Sequence, residues 1–331
     1  MISRRFEKLG AAAFCAAIIT SPIGLKIPLG PAALSPCDVL MVACAGLFLP
    51  SFLLALPGSW RPLRPTLPLL VAAVVSALAA GNWLSSAREL AQLALYALCA
   101  AWAASRVVVL PGGARIIRAA AGLGAVVGIA AAALHVAGFR DATPAIAFAP
   151  WILAGVCLTL TPGAPKRRVF TLLSVSLVAA LIFFNSSEKA GGPAPVPQLR
   201  SEIGQRWLEA YAAMTVTSRF PLLGLGPGNY QQHIGEYYGA LPKANTMAAD
   251  SQVGYGVVAA SLGLLGLAGL FYWFATLARW MAESRPPAFA LAAPLLIALA
   301  AGVFTPLFVS PMLAALALLH GVAWGRRTGH V

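Results

Sequence analysis

SQVGYGVVAASLGLLGLAGLFYWFA, residues 251–275, carries no charged side chain from end to end. A helix needs about 20 apolar residues to cross the hydrocarbon core of a bilayer, so this stretch predicts a transmembrane span. Outward from it the same pattern recurs at 287–304 and 308–325, and in the other direction at 169–185, 145–161, 118–137, 89–105, 66–82, 38–57 and 9–25. With 60% hydrophobic and 10% charged residues, the chain lacks the polar material to cover a water-soluble globule. The predicted fold is an all-α polytopic transmembrane helical bundle of about ten spans with one large loop containing an amphipathic helix. It divides into an N-terminal bundle of about seven spans (1–185), the loop (186–250) and a C-terminal group of about three spans (251–331).

Charge placement orients the bundle. With a cytoplasmic N-terminus, the inside segments hold Arg4, Arg5 and Lys8; Arg61 and Arg64; Arg106, Arg115 and Arg118; Lys166, Arg167 and Arg168; Arg279 and Arg285; and Arg326 and Arg327. The short outside connections hold only Lys26, Arg88 and Arg140. This is the positive-inside pattern, with both termini inside and the large loop outside. The net charge of +13 therefore reads as topology anchors and contacts to anionic membrane lipids, not as a nucleic-acid surface. The basic residues before the first apolar run resemble the start of a signal peptide. The absence of a small-x-small cleavage site favours an uncleaved first span. The five cysteines lie in or at the edge of apolar runs with no C-x-x-C pattern, as membrane-facing fillers.

The loop differs in kind from the rest. It holds Glu188, Glu202, Glu209, Glu236 and Asp250, half of the chain's ten carboxylates, with Lys189, Arg200, Arg206, Arg219 and Lys243. GGPAPVP at 191–197 reads as an extended linker. Within 201–216, Ile203, Trp207, Tyr211 and Met214 share one helical stripe, with Gln205, Arg206 and Glu209 off it. That spacing predicts an amphipathic helix lying on the membrane surface or on the bundle, with Ser201 as N-cap and Glu202 and Arg206 as an i,i+4 pair. PLLGLGPGNY at 221–230 follows. Gly224, Gly226 and Gly228 permit positive φ and close backbone approach, while Pro227 stiffens the turn, so a tight, shaped loop is expected.

Most familiar chemistry finds no footing here. Neither a phosphate loop nor a dinucleotide fingerprint is present. His135, His233, His320 and His330 are scattered, with no H-E-x-x-H and no paired carboxylates, so neither a metal nor a cofactor is expected. Asp38, Arg88, Glu89, Asp141 and Asp250 fall near span ends, within reach of water, which weakens a transport reading. What remains is the outward cation cluster of Lys189, Arg200, Arg206, Arg219 and Lys243. Arginine's planar fork suits a lipid diphosphate headgroup. The alternative is a set of solvated charges balanced by the loop's carboxylates. For Arg206 the choice lies between a substrate role and an ion pair with Glu202 or Glu209.

The order of these features is similar to one known family. Apolar spans are followed by one large outward loop reading R-x-x-x-x-x-R-W-L-E-A-Y (200–211), then PLLGLGPGNY, DSQ (250–252) and a span containing SLGLLGL (261–267). This resembles the O-antigen ligase and O-antigen polymerase family of bacterial envelope enzymes, most closely from Arg206 to Leu267 and by topology alone elsewhere. The resemblance implies a GT-C-like membrane glycosyltransferase of the bacterial inner membrane, its loop periplasmic. Such an enzyme transfers or polymerises glycan from an undecaprenyl-diphosphate-linked donor to a hydroxyl of a glycan or lipid-linked acceptor, without metal, alongside other polysaccharide assembly proteins. Carried over by position, Arg206 is the main diphosphate arginine, Lys189 stands where the family has an S-R segment, and Arg200 and Arg219 are further diphosphate contacts. Developing charge on the departing diphosphate is what such cations stabilise.

Three departures qualify the match. Two spans are missing between 185 and the loop. Lys189 lacks the bidentate fork. Where the family commonly has a histidine before the next span, Asp250, Ser251 and Gln252 stand, so the general base falls to Asp250 or to His233, with Glu236 as a further acceptor. The acidic residue and serine lean towards polymerase. A flippase or transporter of lipid-linked sugar, and a non-catalytic scaffold of an assembly complex, are the competing readings.

Overall fold

A computed structural model describes residues 2–23, 27–29, 32–54, 60–81, 83–137, 148–161, 171–172, 174–176, 179, 195–238, 253–284, 289–305 and 307–329. Apart from one short antiparallel hairpin, β1 (Ile27–Leu29) with β2 (Ala32–Leu34), these elements are helical. In chain order they are α1 (Ile2–Thr20), α2 (Pro36–Leu54), α3 (Leu67–Ala79), α4 (Trp83–Ala94), α5 (Ala101–Val109), α6 (Gly113–Val136) and α7 (Ala149–Thr159). Then come α8 (Pro195–Arg219), the short α9 (Asn229–Gln232) and α10 (Ile234–Tyr238), α11 (Gly254–Glu283), α12 (Phe289–Phe304) and α13 (Ser310–Arg327). A π-helical turn, Leu95–Ala100, joins α4 to α5 without a break in direction.

Five helical segments are long and apolar enough to cross a membrane: Phe6–Ile23, Pro36–Leu53, Ser86–Val109, Gly113–Leu134 and Gly254–Glu283. They match the expected spans at 9–25, 38–57, 89–105, 118–137 and 251–275, and they make this a membrane protein by length and composition. The runs at 66–82, 145–161 and 287–304 form shorter apolar helices. The run at 308–325 is α13, and that at 169–185 lies mostly outside the described residues.

The bundle is centred on α13. Every residue from Ser310 to Ala323 is buried, so this helix is apolar all round because protein surrounds it on all sides. Small residues permit the close approach: a methyl group on Gly321 would sit 2.4 Å from the Ala104 Cβ. His320, fully buried mid-helix, accepts a 3.0 Å hydrogen bond at Nδ1 from the Trp273 indole and packs edge-on to Trp280. It is a core histidine rather than a ligand. Cys37 and Cys44 are also interior, which corrects their expected membrane-facing position.

Polar contacts identify the two ends. Arg106 pairs with Glu7 at 3.2 Å, Arg326 donates to the Thr159 carbonyl at 2.8 Å, and Arg327 lies 3.3 Å from Glu283. These contacts gather the start of α1 and the ends of α5, α7, α11 and α13 at one basic end. Asp38, Ser86, Ser310 and the 221–230 loop lie at the other.

Candidate functional site

The segment from α8 to α10 is built into the bundle. Alanine, leucine, glutamate and glutamine favour helix through α8. The helix starts at Pro195, earlier than expected, so Ser201 is an interior residue and not an N-cap, and 195–197 is helical where an extended linker was anticipated. Prolines are tolerated in a first turn because its N–H groups have no intrahelical acceptor. One face of α8, Ala212, Ala213 and Val216, packs with Tyr230 and Ile234 against Val257 and Ala260 of α11 in a small second core. The side chains are small where the helices meet: a methyl on Gly256 would lie 3.0 Å from the Ala213 Cβ.

The loop after α8 then enters a break in α11. At Gly263 the backbone adopts φ 67° and ψ −170°, a region open essentially to glycine alone. The break withdraws the helical partners of the Ala260 and Ser261 carbonyls and of the Leu264 and Leu265 amides. The loop replaces all four. Leu225 and Gly226 donate to the Ala260 and Ser261 carbonyls at 2.9 and 2.8 Å, and the Pro221 and Leu222 carbonyls accept from Leu264 and Leu265 at 2.8 and 3.4 Å. The hydroxyl of Ser76 of α3 lies within hydrogen-bond reach of the carbonyls of both Leu223 and Ser261 and shares its one proton between them. In a lipid-surrounded helix such an irregularity is tolerated only where protein satisfies the freed groups.

The expected glycine roles hold in this geometry. Gly224, Gly226 and Gly228 have φ of 65°, 96° and 77°. A Cβ on Gly224 would meet the Ser261 carbonyl carbon at 2.5 Å, and one on Gly226 the Ala80 Cβ at 2.5 Å. Pro227 is buried between them, and the buried Asn229 side chain ties the turn to itself by donating to the Leu225 carbonyl at 2.8 Å.

Of the expected cations, the two whose side chains are described, Arg206 and Arg219, do not cluster. The Arg206 Nη1 donates to both carboxylate oxygens of Glu209 at 3.2 Å, with the Arg206 side chain 16% exposed and Glu209 0%. Glu209, on the polar side of the sequence pattern, thus faces protein. It is the partner one turn on, while the Glu202 side chain is outside the described set. Arg219 is exposed at the other end of α8. Thirteen residues of helix put the two arginines about 20 Å apart and more than a third of a turn round the axis. Arg200 lies on α8 with its side chain not described, and Lys189 and Asp250 are outside the described residues. His233 is exposed, its Nδ1 3.1 Å from Glu236 on the surface.

One buried acid was not legible as such in the sequence. Asp38, expected near water, is buried in the first turn of α2. Its Oδ1 accepts from Tyr96 at 2.8 Å and Ser310 at 2.7 Å, and its Oδ2 from the Ser35 amide at 3.0 Å and hydroxyl at 2.7 Å. Tyr96 stands on the π-helical turn, and Gln92 supports Ser310 at 3.0 Å. Two helix N-termini and four donors converge on this carboxylate. Both carboxylate oxygens are thereby held by two donors each, which fixes the side chain in one position. Asp38 therefore clamps α2, the π-helical turn and α13 together. Ser35, three residues before it, forms a local cap at the start of α2, but Tyr96 and Ser310 lie 58 and 272 residues away, so the burial is not announced locally. Among the described residues, no three His, Cys, Asp or Glu side chains are placed to hold a metal ion. Neither a family model nor a curated protein matches the chain.

Proposed function

We propose that this protein is a membrane glycosyltransferase of the inner-membrane, polysaccharide-assembling kind, in which Arg206 engages the diphosphate of a lipid-linked glycan donor as its sugar passes to an acceptor hydroxyl. The observation that carries this reading is the sequence from Arg206 to Leu267, which resembles the ligase and polymerase family. Arg206 is ion-paired with the buried carboxylate of Glu209 on a helix locked to α11, and the substrate role requires that the same guanidinium also present an edge to the diphosphate. A cation fixed before the reaction needs no reorganisation as charge develops on the leaving diphosphate. Arg219 is too far along α8 to share one diphosphate with it, so the proposal rests on Arg206, with Arg200 and Lys189 as accessory cations. Asp250 and His233 are the candidate bases, and Asp250→Asn should cost more activity than His233→Ala.

The test uses full-length protein in nanodiscs with a polyprenyl-diphosphate glycan and scores glycosidic bond formation. Arg206→Ala should abolish product, but it also strips Glu209 of its guanidinium. The paired variant Arg206→Met with Glu209→Leu replaces the ion pair by apolar groups of similar volume, an exchange that often preserves stability. A folded, inactive paired variant supports the reading. A paired variant that forms product at the parent rate sinks it.

A further inference from the structure

The face of α8 opposite its packing face exposes Trp207 (72%), Tyr211 (56%) and Met214 (67%). Three large apolar side chains at helical spacing form a patch that a water-facing surface rarely carries. We propose that this stripe is embedded in the outer interfacial layer of the bilayer, so that α8 is part of the lipid-facing wall and not a lid in water. The inference is independent of any catalytic reading.

Three observations carry it. First, α8 runs alongside α11 in the same direction. Ala213 lies against Gly256 and Pro221 against Leu264, so contacts advance eight residues on each strand of the pair, about 12 Å. The stripe therefore stands next to the outer turns of a helix long and apolar enough to cross a membrane. Second, further exposed apolar side chains lie deeper along the same wall, past exposed Ser218 and Arg219, whose long side chain can reach back to the interface. Below Met214 come exposed Phe220 and Leu222, then Leu264 and Leu265 on α11 and Leu78 on α3. The Leu222 carbonyl is bonded to the Leu265 amide, which makes the two surfaces neighbours. Third, the depth is right. From Arg279, which pairs with Glu283 at the basic end, to Gly256 opposite Ala213 is about 34 Å of helix, against about 30 Å of hydrocarbon core. Met214 then sits at the outer edge of that core, with Tyr211 about one turn higher, at the depth where tyrosine and tryptophan concentrate, and Trp207 about 10 Å above Met214, at the water side of the interfacial layer.

Nitroxide labels on single cysteines at 211 and 214, in a full-length variant whose native cysteines are alanine, measure this in phospholipid nanodiscs. Glu236→Cys, on the exposed part of α10, serves as the aqueous reference. The expected result is collisional access to oxygen several-fold greater than to a polar nickel chelate at 211 and 214, and the reverse at 236. Chelate access at 211 and 214 equal to that at 236 places the stripe in water and overturns the proposal. So does low access to both reagents, which means that protein covers the face. If the label at 214 perturbs packing, the label at 211 alone decides by the same criteria.

Discussion

Replacing Gly263 by alanine should uncouple the 221–226 loop from α11. A Cβ at this position would lie 2.2 Å from the backbone carbon and oxygen of Leu222 and 2.5 Å from the Leu223 nitrogen, and backbone cannot rotate aside as a side chain can. The native φ and ψ would add about 1 to 3 kcal/mol of strain for any residue with a Cβ. The easier response is for α11 to close into regular helix, since alanine favours helix over glycine by about 1 kcal/mol. The Leu264 and Leu265 amides would then bond back to Ala260 and Ser261, and the loop would lose all four of its backbone hydrogen bonds to α11. At about 0.5 to 1.5 kcal/mol each, that loss is about 2 to 6 kcal/mol, offset by about 1 to 3 from the two bonds regained within the helix and by about 1 from the alanine preference. The net cost is then up to about 2 kcal/mol, enough to lower the unfolding midpoint against a typical folding stability of about 5 to 15 kcal/mol. Thermal unfolding of purified protein in detergent measures it, with proteolysis between 221 and 228 reporting whether the loop has detached. Gly46→Ala is the control, because a Cβ there meets nothing within 4 Å, and it should be close to neutral. If Gly263→Ala melts at the parent temperature with its loop equally protected, the exchange of partners between loop and helix does not hold this region together.

Asp38→Leu should cost about 2 to 6 kcal/mol, since it leaves the buried Tyr96 and Ser310 hydroxyls without their acceptor, and Asp38→Asn should cost less because one carbonyl oxygen remains; detergent melting curves rank the two. Tyr96→Phe removes one hydrogen bond to a carboxylate and should cost about 1.5 to 3 kcal/mol by the same measurement, and equal stability would refute the clamp. Arg206→Lys should leave the melting temperature nearly unchanged, since an ammonium can reach Glu209, but lower glycosyl transfer by tenfold or more; full activity would mean that the planar fork is dispensable. Gly321→Ala drives a methyl to 2.4 Å from the Ala104 Cβ and should destabilise by about 1 to 3 kcal/mol, read as a fall in unfolding midpoint.

The helical membrane bundle was legible because composition alone forces it: an apolar run such as 251–275 has no other stable environment. What the helices do along their length was less so. Leu67–Ala79 reads as a span by hydropathy yet forms a shorter helix, because Ser76 and the residues after it meet the 221–226 loop. Glu209 reads as a solvent-facing residue, and its burial follows from a neighbour, α11, that no property of α8 specifies. The glycines of 224–228 announced a turn with positive φ. Their reason lay forty residues on, in Gly263, which in sequence looks like one more small residue in a Gly-rich span. Neither segment is satisfied alone: the loop carries amides and carbonyls with no strand or helix to join, and the broken helix carries the complementary set. Backbone hydrogen bonding is obligatory for buried groups, so two glycine-rich stretches that each leave donors and acceptors over, one next to a membrane span and one inside it, are each other's natural partners. That complementarity turns an apparent surface loop into part of the helical bundle, and it carries α8, with Arg206 on one side and its apolar stripe on the other, to a fixed place at the end of the bundle opposite the basic one.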